Sequence, residues 1–250
     1  MQTIRFMYDN KWDHDTLAYS SQDPNFPASN TRHRWWTKAW RSVGIASEYL
    51  KLTADSAIDV TCVALKYNNF TAVAQVILQA NSEDDFNDPP FSSVLSPINQ
   101  DVMIQFFDSV SYQYWRLVVA DPTNDADYLT LGRVFIGTYW SPLKNFNNNY
   151  QEKREDPSFL VWSEGGQLSG ILKTLRTRLT YQFEELSKTD KNTFRTIFQD
   201  RGLSKDFFIC QDAEDDYSAT HYVRFADNLS IDHVLMDNFF NMTIVVEDLL

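Results

Sequence analysis

The sequence predicts a mainly β chain with one helix, divided between an N-terminal β-sandwich of jelly-roll type and a smaller C-terminal β domain. Three observations predict it. Residues 1–140 consist of brief runs rich in β-branched residues, separated by polar turns. The nine residues Leu175–Phe183 alternate between apolar and polar. Only one stretch, between Ser187 and Gly202, repeats apolar residues at helical spacing.

Taken in order, Ile58–Cys62 and Ala72–Leu78 read as short strands, and Gln100–Phe106, Tyr114–Val119 and Leu131–Ile136 follow at similar spacing. Turn residues lie around and between them at Asp23–Asn25, Asn81–Asp85, Asn87–Pro90 and Asp121–Asp125. The polar stretch Asn145–Pro157 has almost no apolar anchor and reads as a linker or exposed loop, so the boundary is expected near residue 150. Residues 1–145 then form the sandwich, 146–170 the linker or loop, and 171–250 the second domain. Gly165–Gly170, within the linker, reads as a flexible loop.

In the second domain, Leu175, Thr177, Leu179, Tyr181 and Phe183 share one face of a half-buried strand, and Arg176, Arg178, Thr180 and Gln182 share the other. A helix follows. Ser187 or Thr189 can cap it, Phe194, Ile197, Phe198 and Arg201 form its stripe, and Gly202 supplies a left-handed stop. Asp206–Cys210, Thr220–Phe225 and Phe239–Val246 read as closing strands.

Composition excludes several classes. Hydrophobic residues make up 43% and aromatics 15% of 250 residues, which excludes disorder. Seven glycines are too few for glycine-loop nucleotide folds. Net charge is −12, and residues 1–150 carry 11 basic and 16 acidic side chains against 11 and 18 in residues 151–250. Neither half is basic, so nucleic acid is not expected to be gripped, although an acidic surface suits one that nucleic acid slides past. The start, Met1–Phe6, lacks a basic n-region and an apolar h-region, and no apolar run approaches bilayer-spanning length, so a soluble protein made inside the cell is expected.

No catalytic, cofactor or metal set is expected. Cys62 and Cys210 lie far apart without metal-ligand spacing and read as reduced core thiols, and His14, His33, His221 and His233 are scattered. Glu184 and Glu185 are adjacent, so on a strand they point to opposite faces and cannot work on one bond. Asp212, Glu214, Asp215 and Asp216, or Asp121, Asp125 and Asp127, have oxygens that could hold calcium; solvated acidic loops are the simpler reading. The one basic and aromatic concentration is Arg32–Arg41. There Trp35 and Trp36 are candidates for a ligand or inter-subunit surface, against the alternative that the tryptophans fill the core beneath an Arg and Lys edge. Arg176 and Arg178 are candidates of the same kind.

Two stretches resemble known families. Tyr112–Val119, Asp121–Asn124 and Tyr128–Gly137, with the pattern Tyr-Trp-Arg-Leu and then Gly-Arg-Val-Phe-Ile-Gly, resemble the ending of galactose-binding-like jelly-roll domains attached to phage structural proteins. Ala28–Asn30, Trp40–Ser42 and Ala57–Val60 are similar to residues of discoidin-type sandwiches, without their bracketing disulfide. The C-terminal order of alternating strand, capped helix, Phe207-Phe208-Ile209 strand and closing Phe240–Glu247 resembles the tail-tube fold of siphovirus tube proteins and distal tail proteins.

The resemblance implies a structural component of a long non-contractile phage tail tip, a tail-tube-like β-sandwich or barrel domain with one helix, and no enzyme activity. By the same analogy, identical subunits form a ring, of six copies, between the tail tube and the baseplate hub, in the virion tail. DNA would pass through it without being gripped, and no membrane is involved. The alternative is a carbohydrate-binding or adhesion module without ring assembly.

Overall fold

The computed structural model describes residues 3–95, 102–147, 149–214, 216–234 and 239–249. Two compact units are present. One comprises Arg5–Trp140 with Cys210–Thr220; the other gathers Ser141–Ile209 and His221–Leu250 with the chain start. The described residues contain no helix long and apolar enough to cross a membrane.

The first unit contains β1 (Arg5–Met7), β2 (Thr16–Tyr19), β3 (Trp40–Arg41), β4 (Glu48–Asn68), β5 (Gln75–Asn81), β6 (Phe91–Leu95), β7 (Val102–Ala120) and β8 (Thr130–Gly137). Its main sheet runs β3-β8-β4-β7-β5-β6, with β2 beside β4. The pairing of β4 and β7 runs from Glu48↔Val119 to Lys66↔Val102, interrupted between Thr53 and Ile58 and between Val60 and Cys62. The first half of β4 also pairs with β2, and the second half pairs with β8.

The sheet therefore bends at those irregularities and folds back on itself. Leu50, Leu52, Leu78 and Leu117 from one arm share a core with Val63, Leu65, Val134 and Ile136 from the other. This is the expected β-sandwich. Each such side chain taken out of water stabilises by roughly 1.5–3 kcal/mol.

Trp12, Trp40 and Trp115 are fully buried there, and each indole N–H has an acceptor. They are Thr31 Oγ1 at 2.9 Å, Ser21 O at 3.0 Å and Tyr112 O at 3.0 Å respectively.

The strands read as Ile58–Cys62, Gln100–Phe106 and Tyr114–Val119 are not separate short elements, and the chain corrects that expectation. The first belongs to the 21-residue β4; the other two, apart from Gln100 and Asp101 outside the described residues, belong to the 19-residue β7. Their polar middles, Asp55-Ser56-Ala57 in β4 and Asp108-Ser109 in β7, are exposed at the corner where the sheet bends, so they imitate turns.

The second unit contains β9 (Gln151–Glu155), β10 (Phe159–Trp162), β11 (Leu168–Ile171), β12 (Arg176–Leu186), α1 (Lys188–Arg201), β13 (Phe207–Asp212), β14 (Asp216–Phe225), β15 (Ser230–His233) and β16 (Phe240–Asp248), although the tips of β13 and β14 fall within the first. The order is β13-β14-β16-β12-β9, with β15 also on β16.

Along β12 the expected alternation holds for Leu179, Tyr181 and Phe183, all buried. It fails at the strand's beginning, where Leu175 is exposed and Thr177 only half-buried. The facing strand β9 places Arg154 against Thr177 and has no apolar side chain to cover that end.

Helix α1 begins at Ser187, whose Oγ accepts from the Asp190 N–H at 3.0 Å and donates to the Asp190 carboxylate at 2.9 Å. Phe194 packs on Phe183 with ring centroids 5.0 Å apart, and Phe198 packs on Phe225 at 5.1 Å. Gly202, at φ +52°, ends it.

Residues 146–170, read as linker, contain β9, β10 and most of β11. The Gly165–Gly170 loop is in fact a turn and strand. Gly166 (φ +75°) lies in a turn closed by the Gly166 N–H to Ser163 O at 3.0 Å, and Leu168–Ile171 pairs with Phe159–Trp162.

Candidate functional site

The sandwich's candidate site is the loop 33–38 between the 3-10 turn Ala28–Arg32 and β3. Three groups anchor it. Arg133, almost wholly buried on β8, makes a two-pronged ion pair with Asp13 and donates from Nη1 to the Arg32 carbonyl at 2.7 Å. Gly132 lies against the loop so closely that a Cβ there would stand 2.5 Å from Trp36 O and 2.8 Å from Lys66 O. Trp36 is half-buried and its ring packs on Tyr67 with centroids 4.9 Å apart, with Lys66 Nζ 5.3 Å from the Trp36 ring.

Tyr67 has φ +64°, a strained conformation for a bulky residue that only surrounding structure can hold. The strain sits beneath the loop, between Lys66 and the Trp36 ring.

On this base Trp35 stands outward, 53% exposed. His33 lies beside its ring at 4.9 Å, Lys38 Nζ is 5.2 Å away and Arg34 Cζ 5.7 Å. His33 Nδ1 accepts the Trp35 N–H at 3.1 Å, fixing the turn that presents the indole. The result is an apolar face ringed by donors and positive charge, in a chain of net charge −12. Such a face can stack on the C–H face of a pyranose while its rim bonds hydroxyls or a carboxylate.

A separate concavity of about 300 Å³ is lined by Leu17, Tyr19, Gln22, Pro27, Ala28, Ser29 and Arg32. Arg32 Nη2 donates to His14 O at 2.7 Å and Asp15 O at 3.1 Å, while its buried Nε has no partner among the described residues. Burial lowers the Arg32 pKa against the opposing pull of Asp13 and Asp15.

The tryptophans of Arg32–Arg41 thus divide: Trp40 fills the core, Trp36 braces the loop and Trp35 faces solvent. Sequence reading missed Tyr67, Lys66 and the loop-holding role of Gly132 and Arg133. Their partners lie tens of residues away, so no local spacing reveals them, although the Gly-Arg dipeptide itself was visible.

Arg176 and Arg178 are not brought to this site; they stand on β12 of the other unit. Arg178 lies 3.9 Å from Glu155, and its buried Nε has no partner among the described residues. A hydrogen bond from Lys153 and its charge hold the Glu155 carboxyl below the usual range, with Arg178 and Arg176 adding to the effect. Arg176 lines a polar cleft of about 170 Å³ with Arg224, Glu247, Asp248 and Leu249. Carboxylates of the same chain therefore already stand around both arginines.

The acidic sets are engaged locally. Asp121 accepts from the Thr71 N–H at 2.8 Å, the Thr71 hydroxyl at 2.6 Å and Asn124 at 3.1 Å, and Asp216 accepts from Ser218. Asp215 lies outside the described residues. Among the described residues no cluster of His, Cys, Asp or Glu is arranged to hold a metal ion. Glu184 and Glu185 sit at a bulge, both exposed and not on opposite faces of a regular strand, and they bond Asn147 and Lys144 respectively.

No family model and no curated protein matches the sequence. Among solved structures, the chain is similar to chitosan-binding module 1 of a chitosanase/glucanase from Paenibacillus sp. IK-5, at 18% identity and TM-score 0.43, over 52% of this chain and 99% of that one. It is similar to a Streptococcus pneumoniae fucose-binding module at 11% identity and TM-score 0.43, over 52% and 95%. The lectin domain of lectinolysin, in complex with Lewis B antigen, aligns at 13% identity and TM-score 0.43, over 52% and 96%. The architecture of the sandwich unit stands on the registers and core described above.

Proposed function

We propose that the sandwich unit is a carbohydrate-binding module that attaches the chain to a glycan through Trp35. The observation that supports this reading is the outward indole, held by a strained and tightly packed base and flanked by His33, Arg34 and Lys38. The reading is one of binding, with no chemistry done on the glycan. The direct test is glycan-array and affinity-electrophoresis binding by the full chain and by Trp35→Ala. Binding to at least one glycan that Trp35→Ala loses supports the reading; a chain that binds none, or a variant that binds equally well, overturns it.

A second reading concerns the C-terminal unit and is supported by its exposed apolar hairpin, β10–β11. In it, the chain is a structural component of a phage tail tip of the distal tail type. Identical subunits would form a ring between tail tube and baseplate hub around the DNA channel, with the glycan-binding unit serving adhesion. Light scattering on the purified chain tests it: a defined ring-sized species supports it and a strict monomer counts against it.

A further inference from the structure

We infer that β10–β11 is an exchange arm that docks on a second copy of this chain, in the groove between α1 and β15. The inference rests on the assembly reading of the C-terminal unit and specifies its contact.

The arm is anomalous by itself. Its register pairs Phe159 with Ile171, Leu160 with Gly170, Val161 with Ser169 and Trp162 with Leu168. Alternation then puts Phe159, Val161 and Ile171 on one face and Leu160, Trp162 and Leu168 on the other. Both faces are apolar, and neither is covered. With Leu172 and Leu175, eight large hydrophobic residues between 159 and 175 are 48–89% exposed. Among the described residues the two strands pair only with each other, and an isolated two-stranded hairpin is marginally stable in water.

The area argues for a protein partner of ordinary size. At roughly 150–250 Å² for each of the two aromatic side chains and less for the six aliphatic ones, these exposures amount to several hundred Å², of the same order as the ~800 Å² that each partner contributes to a standard interface.

The groove argues that the partner is another copy. Beside α1, Arg195, Phe198, Gln199, Asn228, Leu229 and Ile231 line a cavity of about 240 Å³ in the same unit. Three of these are apolar, and in the single chain the arm leaves the groove open. Charge matches as well. The arm's turn carries Glu164 and the groove's rim carries Arg195, and among the described residues neither is in an ion pair. One chain thus presents a knob and a socket at different places, which generates a head-to-tail contact that closes into a ring or runs on as a filament.

The experiment is sedimentation velocity on the full chain over a concentration series, with Trp162→Ser, Glu164→Arg, Arg195→Glu and the Glu164→Arg/Arg195→Glu pair. All three substituted positions are exposed or at the rim, and circular dichroism melts check that each of the four variants folds. The expected result is a wild-type oligomer that Trp162→Ser dissociates. Each single charge reversal should weaken it by about tenfold, and the reversed pair should restore it.

A wild-type monomer at every concentration overturns the assembly reading and the contact with it. An oligomer indifferent to Trp162→Ser, or weakened by both reversals without restoration in the pair, overturns the arm-and-groove contact alone.

Discussion

Arg133 closes a two-pronged ion pair with Asp13 across 120 positions of sequence, and the same guanidinium holds the Arg32 carbonyl at 2.7 Å. One side chain on a core strand therefore ties down both the Lys11–Asp13 turn and the root of the loop that carries Trp35. Removing the guanidinium leaves Asp13, itself partly exposed, with the Asn10 amide but without its ion-pair partner, and frees the loop. Arg133→Met is expected to destabilise the chain by about 3 kcal/mol, the lower end of the range for breaking a buried pair, because Asp13 keeps some contact with water. Arg133→Lys, which keeps charge but loses the fork, is expected to cost about half of that. Chemical denaturation measures both, and equal stabilities for Arg133→Lys and wild type would show that the fork contributes nothing.

Gly132→Ala acts on the same loop from below. The new methyl meets two backbone oxygens, Trp36 O and Lys66 O, that cannot swing aside as a side-chain end would. The expected cost is about 1–3 kcal/mol, with glycan affinity falling alongside as Trp35 is displaced. Affinity electrophoresis at a temperature where the variant remains folded separates the two effects.

Leu179→Asp should unfold the C-terminal sheet. Leu179 is fully buried on β12 opposite Val246 of β16, and a carboxylate there has neither water nor a partner. A loss of at least 3 kcal/mol is the rough expectation from burying an unpaired charge. A thermal melt superimposable on wild type would mean that the inward face of β12 has been assigned the wrong way round.

The two thiols give a prediction about alkaline pH. Both are free and buried. Burial pushes the Cys62 thiol up, opposed weakly by Thr61 and Arg5, and burial likewise raises Cys210 against the hydrogen bonds of Thr220 and Asp212. A raised folded-state pKa means that the native chain holds its proton where the unfolded chain has lost it. This contribution to stability is complete below the unfolded thiol value of about 8.5 and declines as pH rises above it. The native chain at pH 8 should leave a thiol reagent unreacted, and the denatured chain should consume two equivalents. Denaturation midpoints should fall above about pH 8.5 and fall less steeply in Cys62→Ala. A midpoint that rises over that interval contradicts the sign.

How much was legible follows from how each element is buried. Leu179, Tyr181 and Phe183 alternate because β12 has one wet and one dry face, and Ser187 and Gly202 delimit α1 because caps use side-chain and backbone properties that are local. The unity of β4 was not legible. At Asp55-Ser56-Ala57 the strand crosses the corner of the sandwich with every side chain exposed, so its period of two disappears where the sheet turns. The β10–β11 hairpin was hidden for the opposite reason. Neither of its faces is dry within one chain, so Phe159-Leu160-Val161-Trp162 shows no polar alternation to mark it. At the candidate site, the strip Arg32–Arg41 was visible as composition, but which indole points outward depended on Tyr67, Gly132 and Arg133, distant residues that no window contains.

β4 and β7 pass through both layers of the sandwich without a break. A pull on the Trp35 loop would pass from β3 to β8 and on to β4, which is laddered to β7, so rupture there would demand shearing many ladder bonds at once. On the proposed glycan-binding reading, such a tether would hold through brief tugs that would peel open a stack of separate hairpins.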